Sequence, residues 1–319
     1  MSDILYIVVP CYNEEEVLRH TARHLKEKLE GLIFTGKIAS HSRIMFVNDG
    51  SKDKTWEIIE DLNRESEYFV GISLSRNRGH QNALLAGLMT AKDRADMVIS
   101  MDADLQDDIG AVDEMVEKYY EGCDIVYGVR AKRKKDSFFK RFTAEAFYRI
   151  MNKLGAETVF NHADYRLMSK RALEGLSHFK EVNLFLRGIV PMVGLKSDIV
   201  YYERGVRMAG ESKYPLKKMI AFALQGITSL SIKPIRLITL IGFLIFLISI
   251  GMIIFFVVRW AMGNTVSGWP SLICSVWAIG GLIMLSIGVI GEYIGKIYME
   301  TKARPRFLID KDLEDEKSL

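Results

Sequence analysis

Two aspartates, Asp102 and Asp104, stand at i and i+2 in the run MVISMDADLQDD. Mostly apolar residues, Met97 to Met101, precede them and read as a short buried strand. In an open α/β sheet, ligands bind outside the carboxyl ends of the strands. Residues i and i+2 of an extended strand share a face, so both carboxylates are expected to look at one hard cation. Mg²⁺ is commonly held by one or two carboxylates together with substrate phosphates. The same spacing also suits an acidic loop capping the helix that follows, because Asp is favoured near helix N-termini.

Three further strand ends carry polar residues. The first closes in VVPCYNEEE, where Pro10 stops the strand, Tyr12 offers a flat face with a hydroxyl and Glu14 offers a carboxylate. The second closes in FVNDGSKDKT, with Asp49 just before Gly50, placed to accept an N–H from a nucleobase edge. The third, LSRNRGHQNALLAG, sets Arg76, Asn77 and Gly79 ahead of a helix, a plausible anion site. Asp and Gly in turns are common for local reasons. The weight lies in several loops gathering polar residues along one edge of one sheet.

The elements that must position these residues follow from periodicity. Strands are expected at Leu5–Val9, Arg43–Val47, Tyr68–Leu74, Met97–Met101 and Asp124–Tyr127. Amphipathic stretches lie between them at Glu15–Leu29, Thr55–Glu65 and Gln81–Ala91. This alternation predicts βαβ units and a mainly parallel sheet.

Beyond it the chain changes character. Phe139, Phe142, Ala146, Ile150 and Leu154 make one helical stripe, widened by Phe138, Phe147 and Met151 and accompanied by Lys140, Arg141, Arg149 and Lys153. Such a segment reads as membrane-surface binding, the alternative being a core-facing helix with a solvated basic side. A second, Pro215 to Leu230, runs into the uncharged stretch Leu237–Val258, and another uncharged stretch covers Leu272–Gly291. Each is long enough to cross a hydrocarbon core of ~30 Å at ~1.5 Å per residue.

Lys217, Lys218, Lys233 and Arg236 precede the first span, and Lys296, Lys302, Arg304 and Arg306 follow the second. Between the spans only Arg259 is basic, so both termini are expected in the cytoplasm. Trp260, Trp269 and Tyr293 suit the interfaces. The N-terminal MSDILYIVVP has too short an apolar run and no basic start for a signal peptide. Cys11, Cys123 and Cys274 show no metal-ligand spacing and fit a reducing compartment. The net charge of +3 reflects basic residues clustered near the membrane segments, and no nucleic-acid partner is expected.

The ordered set VPCYNEEE, VNDGSKDKT, SRNRGHQNALLAG, DADLQDD, HADYRLMSKRAL, ERGVRMAGESKY and IGEYIGKIYMETKARPRF covers nearly the whole chain. It resembles an inverting family 2 glycosyltransferase of the polyprenyl-phosphate type, similar to bactoprenol glucosyltransferases and, more distantly, to dolichol-phosphate mannose synthases. The resemblance implies a GT-A-like catalytic domain over 1–233, two transmembrane helices within 234–297 (about 237–258 and 272–294) and a cytoplasmic tail over 298–319. It implies a UDP-sugar donor bound around Pro10, Tyr12, Glu14, Asp49, Arg76 and Asp102, and Mg²⁺ or Mn²⁺ held by Asp102, Asp104 and Gln106. Asp164, in HADYRLM, falls where the family places its candidate catalytic carboxylate. Arg204, Arg207 and Lys213 fall where it binds phosphate, with Arg187 as a further candidate.

The acceptor implied is a polyprenyl phosphate such as undecaprenyl phosphate, at the cytoplasmic membrane; a homo-oligomer is compatible with this arrangement. Relatives commonly carry proline where this chain has Asp108. A processive polysaccharide synthase is disfavoured because Q-x-x-R-W is missing and two spans are few for a pore. A non-catalytic nucleotide-sugar-binding scaffold is disfavoured by the intact set Asp49, Asp102, Asp104 and Asp164.

Overall fold

A computed structural model describes residues 2–131, 162–203, 233–262 and 269–315. The described residues up to Glu203 and those from Arg304 onward form one compact unit; those from Lys233 to Ala303 form another.

The first unit opens with β1 (Leu5–Cys11), α1 (Leu18–Phe34), β2 (Arg43–Asn48), α2 (Thr55–Glu65), β3 (Phe69–Leu74), α3 (His80–Lys92), β4 (Met97–Ser100), α4 (Ala111–Tyr120) and β5 (Ile125–Arg130). All five expected strands and all three expected helices are present, α2 with its expected bounds and the others with shifted ends. Then come β6 (His162–Ser169), α5 (Lys170–Ser177), α6 (Leu186–Met192) and β7 (Ser197–Tyr202).

The eight strands are ordered β7-β5-β6-β4-β1-β2-β3-β8, where β8 (Ile309–Asp312) comes from the far end of the chain. β4, β1, β2 and β3 run parallel, as do β5 and β7, whereas β6 and β8 pair antiparallel to their neighbours. This is the mainly parallel, helix-covered sheet that the GT-A-like resemblance implies.

Strands β1 to β5 are buried on both faces, as strands covered by helices must be. Along β1, Leu5, Ile7 and Val9 face a core shared with α1, α2 and α4, whereas Tyr6 and Val8 face one shared with α3, α5 and α6. In α1 the buried Leu18, Ala22, Leu25, Leu29 and Leu32 recur at helical spacing. This packing aligns the carboxyl ends of β1 to β4 along one edge.

The last segment, expected as a separate tail, supplies β8. Ile72, Ser73 and Leu74 of β3 pair with Asp312, Lys311 and Ile309, and Leu313 is buried in the core. Arg94 holds Asp312 (2.8 Å), Glu314 (2.9 Å) and Asp315 (2.8 Å), and the Tyr6 hydroxyl donates to Glu314 (2.7 Å). The strand caps an edge that would otherwise expose unpaired backbone groups.

The second unit contains α7 (Lys233–Ala261) and α8 (Trp269–Lys302), which pack on each other. Among the described residues, one helix, Ile279–Lys302, is long and apolar enough to cross a membrane; Ile238–Met252 is a shorter apolar run. The amphipathic segments expected at 138–154 and 215–230 lie outside the described residues.

Candidate functional site

Two loops at the ends of β1 and β2 are fastened to each other. The N–H of Asn13 donates to Ser51 Oγ (3.0 Å), that of Glu14 to Thr55 Oγ1 (2.9 Å), and that of Lys52 to Asn13 Oδ1 (2.9 Å). The N–H of Glu15 donates to Asp53 (3.2 Å), and the N–H of Lys54 to Glu15 Oε2 (3.1 Å). Burial works against the charge of Asp53, but hydrogen bonds from Thr55 and Glu15 hold its carboxyl below the ordinary range. Pro10 is buried at the end of β1, while Tyr12 stands 42% exposed just beyond it.

Asp49 is buried, and its two oxygens accept the N–H groups of Arg78 (2.6 Å) and Gly79 (2.9 Å). Burial pushes its carboxyl up, partly offset by these two donors. The expectation of an Asp49 open to a nucleobase is therefore modified: this carboxylate anchors the 76–79 loop, and the exposed Arg76 rides on the loop it holds. Gly50, at φ +62°, lets that loop lie against the turn. A Cβ there would meet Asn77 N at 2.5 Å and the Arg76 carbonyl carbon at 2.6 Å.

The paired acids do not share a strand face. β4 ends at Ser100, and Asp102 and Asp104 lie in the turn beyond it, where Leu105 takes φ 51°. The strand expected to reach Met101 stops early because the chain must bend to bring this loop over the edge. The Asp102 side chain is 40% exposed, and Asp104 accepts the N–H of Gln106 (3.2 Å). Gln106 itself is buried. Burial, with Asp107, Asp164 and Asp104 adding to it, pushes the Asp102 carboxyl up to about 6 against the opposing pull of His80.

Such a gathering of negative charge fits a dication, and the two accessible acids are hard oxygen donors. Among the described residues no three His, Cys, Asp or Glu side chains form a ready metal cage. Mg²⁺ sites of proteins commonly keep waters and substrate phosphates beside one or two carboxylates.

Beside the pair stands Asp164 on β6, buried and held from three sides. Arg166 Nη2 donates to Oδ1 (2.8 Å), Arg187 Nη2 to Oδ2 (3.0 Å) and Arg187 Nε to Oδ1 (3.2 Å). His80 Nε2 lies 3.6 Å from Asp164 and 3.7 Å from Asp102. Although burial opposes it, Arg187, His80 and Arg166 hold the Asp164 carboxyl well below the ordinary carboxylate range. Burial alone would lower His80, but Asp164 and Asp102 outweigh it and raise its affinity for a proton. Asp164 is thus an ionised organiser of cations and, in this arrangement, a weak base.

Of the expected site residues, Tyr12, Glu14, Asp49, Arg76, Asp102, Asp104 and Gln106 come from loops and strand ends, Asp164 from β6 and Arg187 from α6, all in one unit. His80 lies between Asp102 and Asp164, and Arg187 binds Asp164 directly. Arg204, Arg207 and Lys213 lie outside the described residues.

Sequence reasoning passed over His80, Arg166 and Asp107. For His80 a signal existed: it opens α3 directly after Gly79, at φ +83°. Arg166 is 1% exposed within a strand, a position no sequence pattern assigns to a cation.

A family model described as "Glycosyl transferase family 2" matches residues 6–177. The chain is 54% identical over 314 residues to the uncharacterized glycosyltransferase YkoT of Bacillus subtilis (strain 168), covering 98% of this chain and 93% of that one. It is 40% identical over 310 residues to the prophage bactoprenol glucosyl transferase homolog of Escherichia coli (strain K12), covering 96% and 98%. It is 41% identical over 308 residues to the bactoprenol glucosyl transferase of Shigella phage SfX, covering 95% and 97%.

Proposed function

Because the chain belongs to glycosyl transferase family 2, we propose that it moves one sugar, glucose, from a UDP-sugar to a polyprenyl phosphate. An acceptor such as undecaprenyl phosphate and the cytoplasmic membrane face complete the reading. The observation that carries it is the juxtaposition of Asp102, on the loop expected to take the donor, with Asp164 and its paired Arg187. The names of the relatives at 40–41% identity, bactoprenol glucosyl transferases, supply the sugar and the acceptor class.

An oxygen of the acceptor phosphate attacks the anomeric carbon while the bond from that carbon to the diphosphate oxygen breaks on the opposite face. The configuration inverts and UDP departs. A lipid phosphate has a second pKa of ~6, by analogy with phosphorylated side chains. It arrives ionised and needs no strong base, which suits an Asp164 engaged by guanidinium groups. Asp164 instead holds Arg187, about one-third exposed, ready for a phosphate oxygen. Asp102 and Asp104, with Gln106 as the third donor the resemblance implies, would hold Mg²⁺ or Mn²⁺. Held there, it would supply Lewis-acid stabilisation to the charge developing on the departing diphosphate. Arg204, Arg207 and Lys213 belong to this reading as further phosphate ligands, and Pro10, Tyr12, Glu14 and Arg76 as donor ligands.

The membrane arrangement is supported by a parity argument. The described chain belongs to the first unit up to Glu203 and again from Arg304, and β8 is hydrogen-bonded into the sheet. A unit that stays on one side of a bilayer keeps both ends of the intervening segment on that side, which supports an even number of crossings. If Ile279–Lys302 crosses, α7 is its partner, giving the hairpin of about 237–258 and 272–294.

The deciding assay incubates purified full-length protein with labelled UDP-glucose, undecaprenyl phosphate and Mg²⁺ or Mn²⁺. A radiolabelled, organic-extractable product supports the reading; an insoluble polymer indicates a synthase, and no turnover with any UDP-sugar indicates a binding scaffold. Asp102→Ala or Asp104→Ala, or excess EDTA, abolishes transfer without unfolding the protein. Full activity in chelator removes the metal from the mechanism.

A further inference from the structure

α6, which carries Arg187, has no side-chain cap of its own. Its N-cap position is Phe185, which offers only its backbone carbonyl, and that carbonyl accepts the N–H groups of Gly188 (2.9 Å) and Ile189 (3.0 Å). The first N–H groups of a helix have no intrahelical acceptor. The N–H of Leu186, the first residue of α6, is satisfied from another helix: it donates to Gln81 Oε1 of α3 (3.1 Å). Only the oxygen of an amide can accept an N–H, so chemistry fixes which way this side chain faces. α6 is seven residues long and contains Pro191, and helices this short depend on tertiary contacts.

Leu186, Ile189 and Val190 bury the apolar side of α6, which packs against β6. Burial of this kind is non-directional: it holds the helix in place without fixing its rotation or its slide along its own axis. The hydrogen bond to Gln81 is directional. It acts one residue before Arg187, whose guanidinium grips both oxygens of Asp164. The residue before Gln81 is His80, beside Asp102 and Asp164. We propose that Gln81 is a positioning residue: by capping α6 from α3, it sets the Arg187 guanidinium against Asp164. The inference rests on the reading of Arg187 as a ligand of the acceptor phosphate. A guanidinium set at the wrong angle meets one carboxylate oxygen instead of two, and its planar fork no longer faces the phosphate.

Two substitutions separate the cap from the bulk of the side chain. Gln81→Met keeps the length and removes the amide, whereas Gln81→Glu keeps an acceptor oxygen and adds a charge suited to a helix N-terminus. In full-length protein with UDP-glucose, undecaprenyl phosphate and Mn²⁺, Gln81→Met lowers kcat/KM for the acceptor about tenfold, the scale of one lost hydrogen bond on a positioning group. Gln81→Glu stays within about threefold of wild type, because an acceptor still meets the Leu186 N–H. Arg187→Lys keeps a cation but loses the fork. Adding Gln81→Met to it changes kcat/KM by less than about twofold, since the contact that Gln81 serves is already gone. Amide exchange over residues 185–189 reads the cap without substrate: it speeds up in Gln81→Met and not in Gln81→Glu.

A Gln81→Glu protein as slow as Gln81→Met would overturn the proposal, because the acceptor oxygen would then not be what matters. So would a Gln81→Met loss that persists undiminished beside Arg187→Lys, or amide exchange that Gln81→Met leaves unchanged. Wild-type protein run alongside separates the two levels of failure. If it transfers no glucose to the lipid phosphate, the proposed function fails and takes this inference with it; if it does and the variants show no such split, only this inference fails.

Discussion

Replacing Gly50 by alanine probes how the donor edge is assembled, and Gly36 provides the control. Both sit at positive φ, +62° and +70°, but a Cβ on Gly36 has nothing within 4 Å, whereas one on Gly50 meets Asn77 N at 2.5 Å and Arg76 Cα at 2.9 Å. The left-handed conformation costs an alanine about 1–2 kcal/mol, and this part is shared by both variants. Overpacking against backbone adds about 1–3 kcal/mol at Gly50 alone.

For a folded unit of this size, about 1 kcal/mol moves the melting temperature by about 2–4 °C. Gly36→Ala should therefore lower it by a few degrees with normal kinetics, and Gly50→Ala by about 1.5 to 4 times as much. The loop pushed away carries Arg76 and ends on the two N–H groups that Asp49 holds. Gly50→Ala should thus also raise the donor KM by about tenfold, since small misplacements of positioning groups are expensive. Thermal unfolding and donor saturation curves on the two variants give the answer. If they behave alike in both measurements, the contact between the Gly50 turn and the 76–79 loop does not organise the donor site.

Other outcomes follow from the same geometry. Between about pH 4 and 6 the folded protein without metal keeps a proton on Asp102 that the unfolded chain has lost, so this group's contribution to stability falls as pH rises through that window. Mn²⁺ replaces that proton, and its stabilisation of the fold should be larger at about pH 7.5 than at about pH 5.5 in thermal melts; equal shifts would refute the assignment. Asp164→Asn should cut turnover strongly with donor affinity nearly intact. It should also destabilise the fold by about 3–5 kcal/mol, because Arg166 would stay buried beside a neutral group. A large rise in the donor dissociation constant with normal turnover would make Asp164 a donor ligand instead. Leu313→Ala should cost about 2–5 kcal/mol in chemical denaturation, and a silent substitution would show that β8 docks without contributing to the core.

The sequence by itself determined the local parts of this protein. Alternation of apolar runs marked β1 to β5, and helical spacing marked α1 to α3, because both periods are written in neighbouring residues. The acids beyond β4 and the polar loops beyond β1 to β3 were legible because strand ends in such sheets are where ligands bind. The chemistry of Asp49 and Asp164 was not. Whether a carboxylate faces solvent, two backbone N–H groups or two guanidinium groups depends on which distant segments fold against it, and Arg187 is far from Asp164 along the chain.

β6 and β8 were missed for a related reason. HADYRLMS buries Asp164 and Arg166 inside the sheet, so its charges read as surface until their mutual pairing is seen. IDKD looks like a polar tail until β3 offers an open edge and Arg94 gathers its acids. Strand pairing across hundreds of residues is decided by backbone hydrogen bonds, which carry no residue code. Only the assembled sheet brings Asp102, His80, Asp164 and Arg187 into one place.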